Sequence, residues 1–379
     1  MKVLVIGNYA NSRQESMQRL GEMMRDGLSA AGHEVRLVCP SVCFGRLWPN
    51  EVGVGKWLGY LDRFVLYPAV LRRQARWADM VHVCDQANAV YIPHLRGKAH
   101  VITCNDLLAI RAALGEIPES PTGWTGRIFQ AWILRNLRKA RTVACISKQT
   151  EKEVQRLVAL PPESVTVVPL ALNYPYEPMS VDQAAPHLRR LGVSVARPFL
   201  LHVGGNQWYK NRPGVVRMFA ELVKRPAFAD HVLLLAGKPW SAELRDLVGA
   251  INLEDRVVEL VEVSNQQLCA LYSTAEALLC PSLEEGFGWP ILEAQASGCP
   301  VVTTNRPPMT DVSGGAAILI DPCDPKAAAA EVVRRWQARE EIRERGLANA
   351  SAYSLREMIA EYLRTYAAVS AQAVVRSES

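Results

Sequence analysis

Apolar residues in this chain fall into short dense runs, separated by longer stretches in which they recur every three or four positions. The first two runs, Val3–Ile6 and Val35–Val38, flank a stretch of helical periodicity ending near Ala31, and Gly32 sits where a helix C-cap belongs. Further runs occur at Met80–Val83, Ala99–Thr103, Thr142–Ile146 and Val165–Val168. The cadence restarts after a polar, proline-containing stretch, with runs at Phe199–Val203, Val232–Ala236, Val257–Val261, Ala277–Cys280, Val301–Thr303 and Ala317–Ile320. Runs this short suit strands buried on both faces, and strand alternating with helix predicts a parallel sheet covered on both sides. The expected fold is α/β, with two doubly wound domains over residues 1–175 and 198–352 joined by a linker at 176–197. The final stretch, 353–379, is helical in pattern from Ser354 to about Val369 and is expected to pack back on the first domain. Sheets of this kind bind ligands beyond the carboxyl ends of their strands, so two facing domains would enclose a cleft.

A chain of 379 residues comfortably holds two such cores, and 49% hydrophobic with 21% charged residues excludes a disordered or fibrous protein. No run reaches the roughly 18 apolar residues of a membrane-spanning helix. The opening MKVLVIGN is too short for a signal-peptide core and reads as a first strand. Nine scattered cysteines without a C-x-x-C pair predict reduced thiols in a cytoplasmic protein and no zinc site. The net charge of +5 conceals an asymmetry: residues 1–195 hold 24 Lys+Arg against 16 Asp+Glu, and the remainder 19 against 22. The basic half is the amino-terminal one.

Strand Ala277–Cys280 would deliver the loop Pro281–Gly288 to the mouth of the cleft. There EEGFGWPILEA places Gly286 and Gly288, which let backbone approach a ligand, before Pro290, which suits the first turn of a helix. Amides at that helix start point outward as donors, and Glu285 and Glu293 supply paired acceptors for vicinal hydroxyls. After Phe199–Val203 comes GGNQWYKNRPG, where Gly204 and Gly205 make a turn and Lys210 precedes a helix opened by Pro213. The spacing is not that of a P-loop, but a glycine turn with a cation suits a diphosphate. The two constellations together point to a nucleoside diphosphate bearing a sugar. His202, alternating with apolar neighbours on a strand, reads as a packed histidine.

The succession HVGGNQWYKN, VEVSNQQLCALYSTAEALLCPS, EEGFGWPILEAQASGCPVV and GGAAILIDPCDP resembles the carboxyl-terminal half of the retaining family 4 glycosyltransferases, which have the GT-B fold of two Rossmann-like domains facing across a cleft. The resemblance is strongest over 199–325 and includes the spacing of Glu285 and Glu293. It implies that Glu285 and the amides of Gly286, Phe287 and Gly288 meet the donor sugar and that Glu293 meets the ribose hydroxyls. Lys210 would neutralise the diphosphate beside Gly205, and the backbone near Val263 would face the base. VHVCDQANAVY and VITCNDLLAIR resemble segments of bacterial mannosyltransferase-like members, which brings in Asn105 and Asp106 on the acceptor side. The donor would be a UDP-, GDP- or ADP-sugar, used without a metal or other cofactor, and the acceptor a glycan or lipid-linked glycan in bacterial surface polysaccharide or glycolipid synthesis.

Three positions depart from the family pattern. Asn206 stands where members often carry arginine, leaving Arg212 or a residue of the facing domain to assist Lys210. Asn105 stands where many have histidine; asparagine can bond a sugar hydroxyl but does not titrate. The usual glycine-rich first loop is replaced by NYANSRQESM. A sugar-nucleotide-binding scaffold without transfer activity, or an epimerase of the same architecture, would satisfy the same motifs. In WLGYLDRFVLYPAVLRRQARWADM, Trp57, Leu61 and Phe64 share a helical face beside Arg72, Arg73 and Arg76. That surface reads either as a helix packed on its own domain or as peripheral contact with an anionic membrane. No nucleic-acid-binding motif accompanies it.

Overall fold

The structure is a computed structural model that describes residues 1–10, 15–47, 53–95, 97–194 and 196–378. The replaced first loop falls partly outside these, at 11–14. The chain divides into two compact units, Met1–Asn173 with Ser354–Ser379, and Tyr174–Tyr353. The first contains β1 (Lys2–Ile6), β2 (Glu34–Val38), β3 (Met80–Val83), β4 (Ala99–Cys104), β5 (Thr142–Cys145) and β6 (Val165–Val167). The second contains β7 (Phe199–Gly204), β8 (Val232–Gly237), β9 (Val257–Val261), β10 (Ala277–Cys280), β11 (Val301–Thr304) and β12 (Ile318–Ile320). The two six-stranded sheets run β2-β1-β3-β4-β5-β6 and β12-β11-β10-β7-β8-β9, and every described pairing is parallel. Each sheet is therefore doubly wound. Strand order reverses between β1 and β3 in the first unit and between β7 and β10 in the second, and it is at the carboxyl ends beside such reversals that doubly wound sheets bind ligands.

The apolar runs become strands because both sheet faces are covered: β1 residues Leu4 and Ile6 and β7 residue Leu200 have no exposed surface. Gly32 ends helix Glu15–Ala30 with a φ of +83°, the left-handed conformation that favours glycine. The segment 176–197, expected as a linker, contains helix Val181–Arg190. Ser180 and Gln183 cap that helix reciprocally, and it packs on helix Asn265–Thr274 of the second unit. Helix Leu355–Glu378 belongs to the first unit and packs on β4 and on helix Glu15–Ala30. A Cβ at Gly27 would lie 2.5 Å from Ile359 Cγ1, so glycine is what lets these two helices meet. No described helix is long and apolar enough to cross a membrane.

A buried polar chain anchors the final helix. Tyr366 Oη bonds His82 Nδ1 at 2.7 Å, His82 Nε2 bonds Thr103 Oγ1 at 3.0 Å, and Thr103 bonds Tyr362 Oη at 2.9 Å. Burial lowers the His82 pKa from 6.5 to about 3. The unfolded chain therefore takes up a proton first as pH falls, so the stabilisation from neutral His82 is intact above 6.5 and is lost progressively towards about 3. Unfolding free energy measured against pH should fall across that window more steeply in the wild type than in His82→Gln. Equal slopes would show that His82 is not held neutral by the fold.

Candidate functional site

The second unit's site is built at its topological reversal. Strand β7 ends at Gly204 opposite Gly237 of β8, where a Cβ on Gly237 would lie 2.1 Å from the Gly204 carbonyl oxygen; only glycine fits there. The chain then turns through Gly205, Asn206 and a short 3-10 turn, Trp208–Lys210, to Asn211, which is left-handed at φ +53°. Asn211 caps helix Arg212–Leu222 by accepting from Gly214 N at 3.2 Å. Its Nδ2 donates at 3.0 Å each to the carbonyls of Pro281 and Pro322, beyond the ends of β10 and β12. One amide thus fixes three carboxyl-end loops. An Asn just ahead of a Pro-opened helix is an N-cap signal, so this residue was findable in the sequence.

Lys210 reaches across the reversal. Its Nζ donates to Glu285 Oε1 at 2.6 Å, and Ser282 Oγ donates to the same oxygen at 2.8 Å. Burial disfavours the Lys210 ammonium, but the negative charge and hydrogen bond of Glu285 outweigh it and hold the pKa above the ordinary lysine value. The lysine side chain is 17% exposed and Glu285 8%, so the pair is largely shielded from water. Gly204 leaves room for His202, since a Cβ there would lie a tight 3.1 Å from His202 Nε2. His202 is fully buried, donates from Nδ1 to the Leu279 carbonyl at 2.8 Å and has its pKa lowered by burial to about 4, as a packed neutral ring requires.

Asn206 is accompanied by a guanidinium. Arg212 Nη1 donates to Asn206 Oδ1 at 2.6 Å and to the Lys238 carbonyl at 2.9 Å, while Asn206 Nδ2 donates to the Pro239 carbonyl at 2.7 Å. Arg212 is 3% exposed, its Nε and Nη2 have no partner among the described residues, and burial lowers its pKa. A buried cation with two idle donors lies next to the glycine turn. On the β10 side, Gly286 is half-buried and Phe287 buried, and Gly288, at φ +110°, starts helix Trp289–Ala296 with Pro290 in its first turn. Glu293, on that helix, is 6% exposed and accepts from Tyr272 Oη at 2.9 Å. Val263 is half-buried between β9 and helix Asn265–Thr274. A cavity of about 440 Å³ near Phe199, Glu276 and Pro300 opens at the amino ends of the strands, the opposite edge from Lys210.

In the first unit, Asn105 and Asp106 follow β4. Asn105 is buried, its Nδ2 donates to the Cys84 carbonyl at 3.2 Å and its N–H to Gln86 Oε1 at 2.9 Å, and its Oδ1 has no partner among the described residues. Asp106 Oδ1 accepts from Leu108 N at 3.0 Å, a local turn contact. The sequence reading passed over the residues at this unit's own reversal. Asp85, buried after β3, accepts from Asn8 Nδ2 after β1 and from Ala87 N at 2.8 Å, and Asn88 Nδ2 donates to Asn8 Oδ1 at 2.7 Å. Burial raises the Asp85 pKa against these hydrogen bonds.

Two family models match the chain: "Glycosyltransferase Family 4" over residues 18–173 and "Glycosyl transferases group 1" over residues 187–352. O-antigen chain mannosyltransferase B of Escherichia coli is 27% identical over 323 residues, 82% of this chain and 83% of the relative. D-inositol 3-phosphate glycosyltransferase of Corynebacterium diphtheriae is 25% identical over 233 residues, covering 59% of this chain and 54% of that one. Among solved structures, sucrose-phosphate synthase of Thermosynechococcus elongatus superposes with a TM-score of 0.76 at 19% identity, over 98% of this chain and 100% of the other. An Anabaena protein crystallised with UDP and glucose gives 0.73 at 17% identity, over 97% and 99%. These likenesses establish the fold as GT-B.

Replacing Asn211 by alanine removes the cap and both carbonyl contacts and forces a Cβ-bearing residue without a side-chain amide into the left-handed region. The expected loss is about 2–4 kcal/mol in urea unfolding. A loss under about 1 kcal/mol would mean that the three loops are held by other contacts.

Proposed function

The chain belongs to the glycosyl transferases of group 1 and family 4, and we propose that it moves a hexose from a nucleoside diphosphate to a hydroxyl of a glycan or lipid-linked glycan, with retention at the anomeric carbon. One observation carries this: a shielded lysine–glutamate pair, with a buried arginine nearby, beside a glycine turn at the reversal of the second sheet. Mannose is the favoured hexose, on the strength of the mannosyltransferase relative of which this chain covers 83%. The favoured setting is bacterial surface-polysaccharide synthesis on the cytoplasmic side, consistent with nine unpaired thiols.

The reaction breaks the anomeric C–O bond, and both bonding electrons leave with the diphosphate. An ammonium has three N–H donors, of which Glu285 takes one, so Lys210 retains donors for the departing phosphate oxygens. Arg212 supplies the second cation through its idle Nε and Nη2, in place of the arginine that Asn206 replaces. The amides of Gly286, Phe287 and Gly288, with the start of helix Trp289–Ala296, add donors for the sugar and phosphate. These groups act most strongly where charge is greatest, in the transition state, and no metal is assigned a part. The acceptor oxygen bonds to the anomeric carbon from the leaving-group side, and its proton passes to a phosphate oxygen. Asn105 Oδ1, an unpaired buried acceptor, would hold a hydroxyl of the acceptor sugar, with Asp106 beside it. Glu293 binds the ribose hydroxyls and the backbone near Val263 the base.

Thermal stabilisation by UDP, GDP and ADP and their hexose derivatives, without added metal, tests the donor class: one nucleotide should raise the melting temperature well above the others. Lys210→Ala should abolish that shift and slow transfer about a hundred- to a thousandfold. Because the single change strands a buried carboxylate, Lys210→Ala with Glu285→Gln serves as the folded control. Full turnover in either variant, or no shift with any nucleotide, would overturn the assignment.

A further inference from the structure

Two helical stretches of the first unit share an unusual surface. The first runs continuously from Val54 to Trp77 with a π-turn at Asp62–Leu66, and the second is Trp124–Leu137. They lie on the connections leaving the carboxyl ends of β2 and β4. Aromatic rings join them: Tyr60 stacks on Phe129 at 5.8 Å, and Phe64 meets Trp132 edge-on at 5.1 Å. Outside this seam, apolar side chains face water. Trp57, Leu61 and Val65 follow at a spacing of four on one stretch and Trp124 and Ile128 on the other, and Trp124 is 74% exposed.

The charge on these helices is of one sign. Residues 54–77 carry five Lys or Arg and a single acid, and residues 124–137 carry two and none, with Arg138, Lys139 and Arg141 just beyond the helix end. That acid, Asp62, is turned inward: it accepts from Tyr9 Oη and from the N–H groups of Cys43, Phe44 and Gly45. It contributes no surface charge, and it clamps the turn Phe44–Arg46, with its exposed Phe44, against the helix.

We infer that this face seats on an anionic lipid bilayer, with its tryptophans and aliphatic side chains at headgroup depth and its Lys and Arg residues on the lipid phosphates. Each half of the surface excludes a different partner. An apolar protein groove would take the rings but leave the cations unpaired, a nucleic acid would take the cations but not Ile128 or Val65, and a second copy would bring like charge. A bilayer interface accepts both. Phe64 and Tyr60 pack on their own domain, as one of the two readings of this stretch expects, while Trp57, edge-on to Tyr60 at 5.7 Å, stays 62% exposed. The surface stands apart from the glycosyltransferase reading, which only supplies its purpose, access to a lipid-linked acceptor.

Co-sedimentation with vesicles of phosphatidylcholine alone, and of phosphatidylcholine mixed with phosphatidylglycerol, tests it at low and high salt. Binding should require the anionic lipid and fade with salt. Lys56→Gln and Arg135→Gln should each weaken it about fivefold, and Trp57→Ser with Trp124→Ser should abolish it. Nucleotide-induced thermal stabilisation should be unchanged in all of them, which separates failure here from failure of the proposed reaction. Equal binding to neutral vesicles, no binding, binding undiminished in the variants, or variants that change only the oligomeric mass would each overturn the inference.

Discussion

The ion pair between Lys210 and Glu285 spans the one place in the second sheet where strand order reverses, and the local architecture serves to bring its partners together. The lysine comes from the loop after β7 and the glutamate from the loop after β10, neighbouring strands far apart in sequence. Desolvating two charges costs several kcal/mol per ion unless the geometry is good and the remaining oxygens are bonded. Ser282 meets that requirement on Glu285, and Asn211 holds the loops in register. The pair is stabilised enough to persist but keeps ammonium donors to spare, a sound starting point for receiving a phosphate.

The first unit uses the same topological position with different chemistry. At its reversal, Asn8, Asp85 and Asn88 tie the loops after β1 and β3 with amide donors and a buried carboxylate rather than a cation. One edge thus presents a cation with spare donors and the other side-chain amides around a buried carboxylate. The chain of His82, Thr103, Tyr362 and Tyr366 secures the final helix on this sheet without carrying charge.

Every strand of both sheets was legible in the sequence: the central ones, buried on both faces, must be compact apolar runs, and the edge strands β2 and β9 keep enough of that pattern although they expose Arg36 and Glu259. The glycine turn, Lys210 and the Glu285 loop were legible as well, since loops at strand ends concentrate glycine and charge. Less visible were contacts between segments distant in sequence. Arg212 was a mere candidate until its bond to Asn206 placed a guanidinium where arginine was missing, and Asn211 gave only its N-cap signal. Asp85 was not singled out, and nothing in its local pattern, CDQAN, revealed Asn8 as its partner, 77 residues away. Helix Val181–Arg190 was hidden because a proline-containing, polar stretch reads as linker, although its capping box was there in Ser180 and Gln183.

The central claim is transfer of a hexose with retention, driven by charge stabilisation on the leaving diphosphate. The most direct measurement is the anomeric configuration of the new glycosidic bond, read by NMR on the product formed from an α-configured sugar nucleotide and a glycan acceptor. An α-linked product is the result the proposed reaction predicts; a β-linked product, or release of free sugar with no linkage to the acceptor, would contradict it.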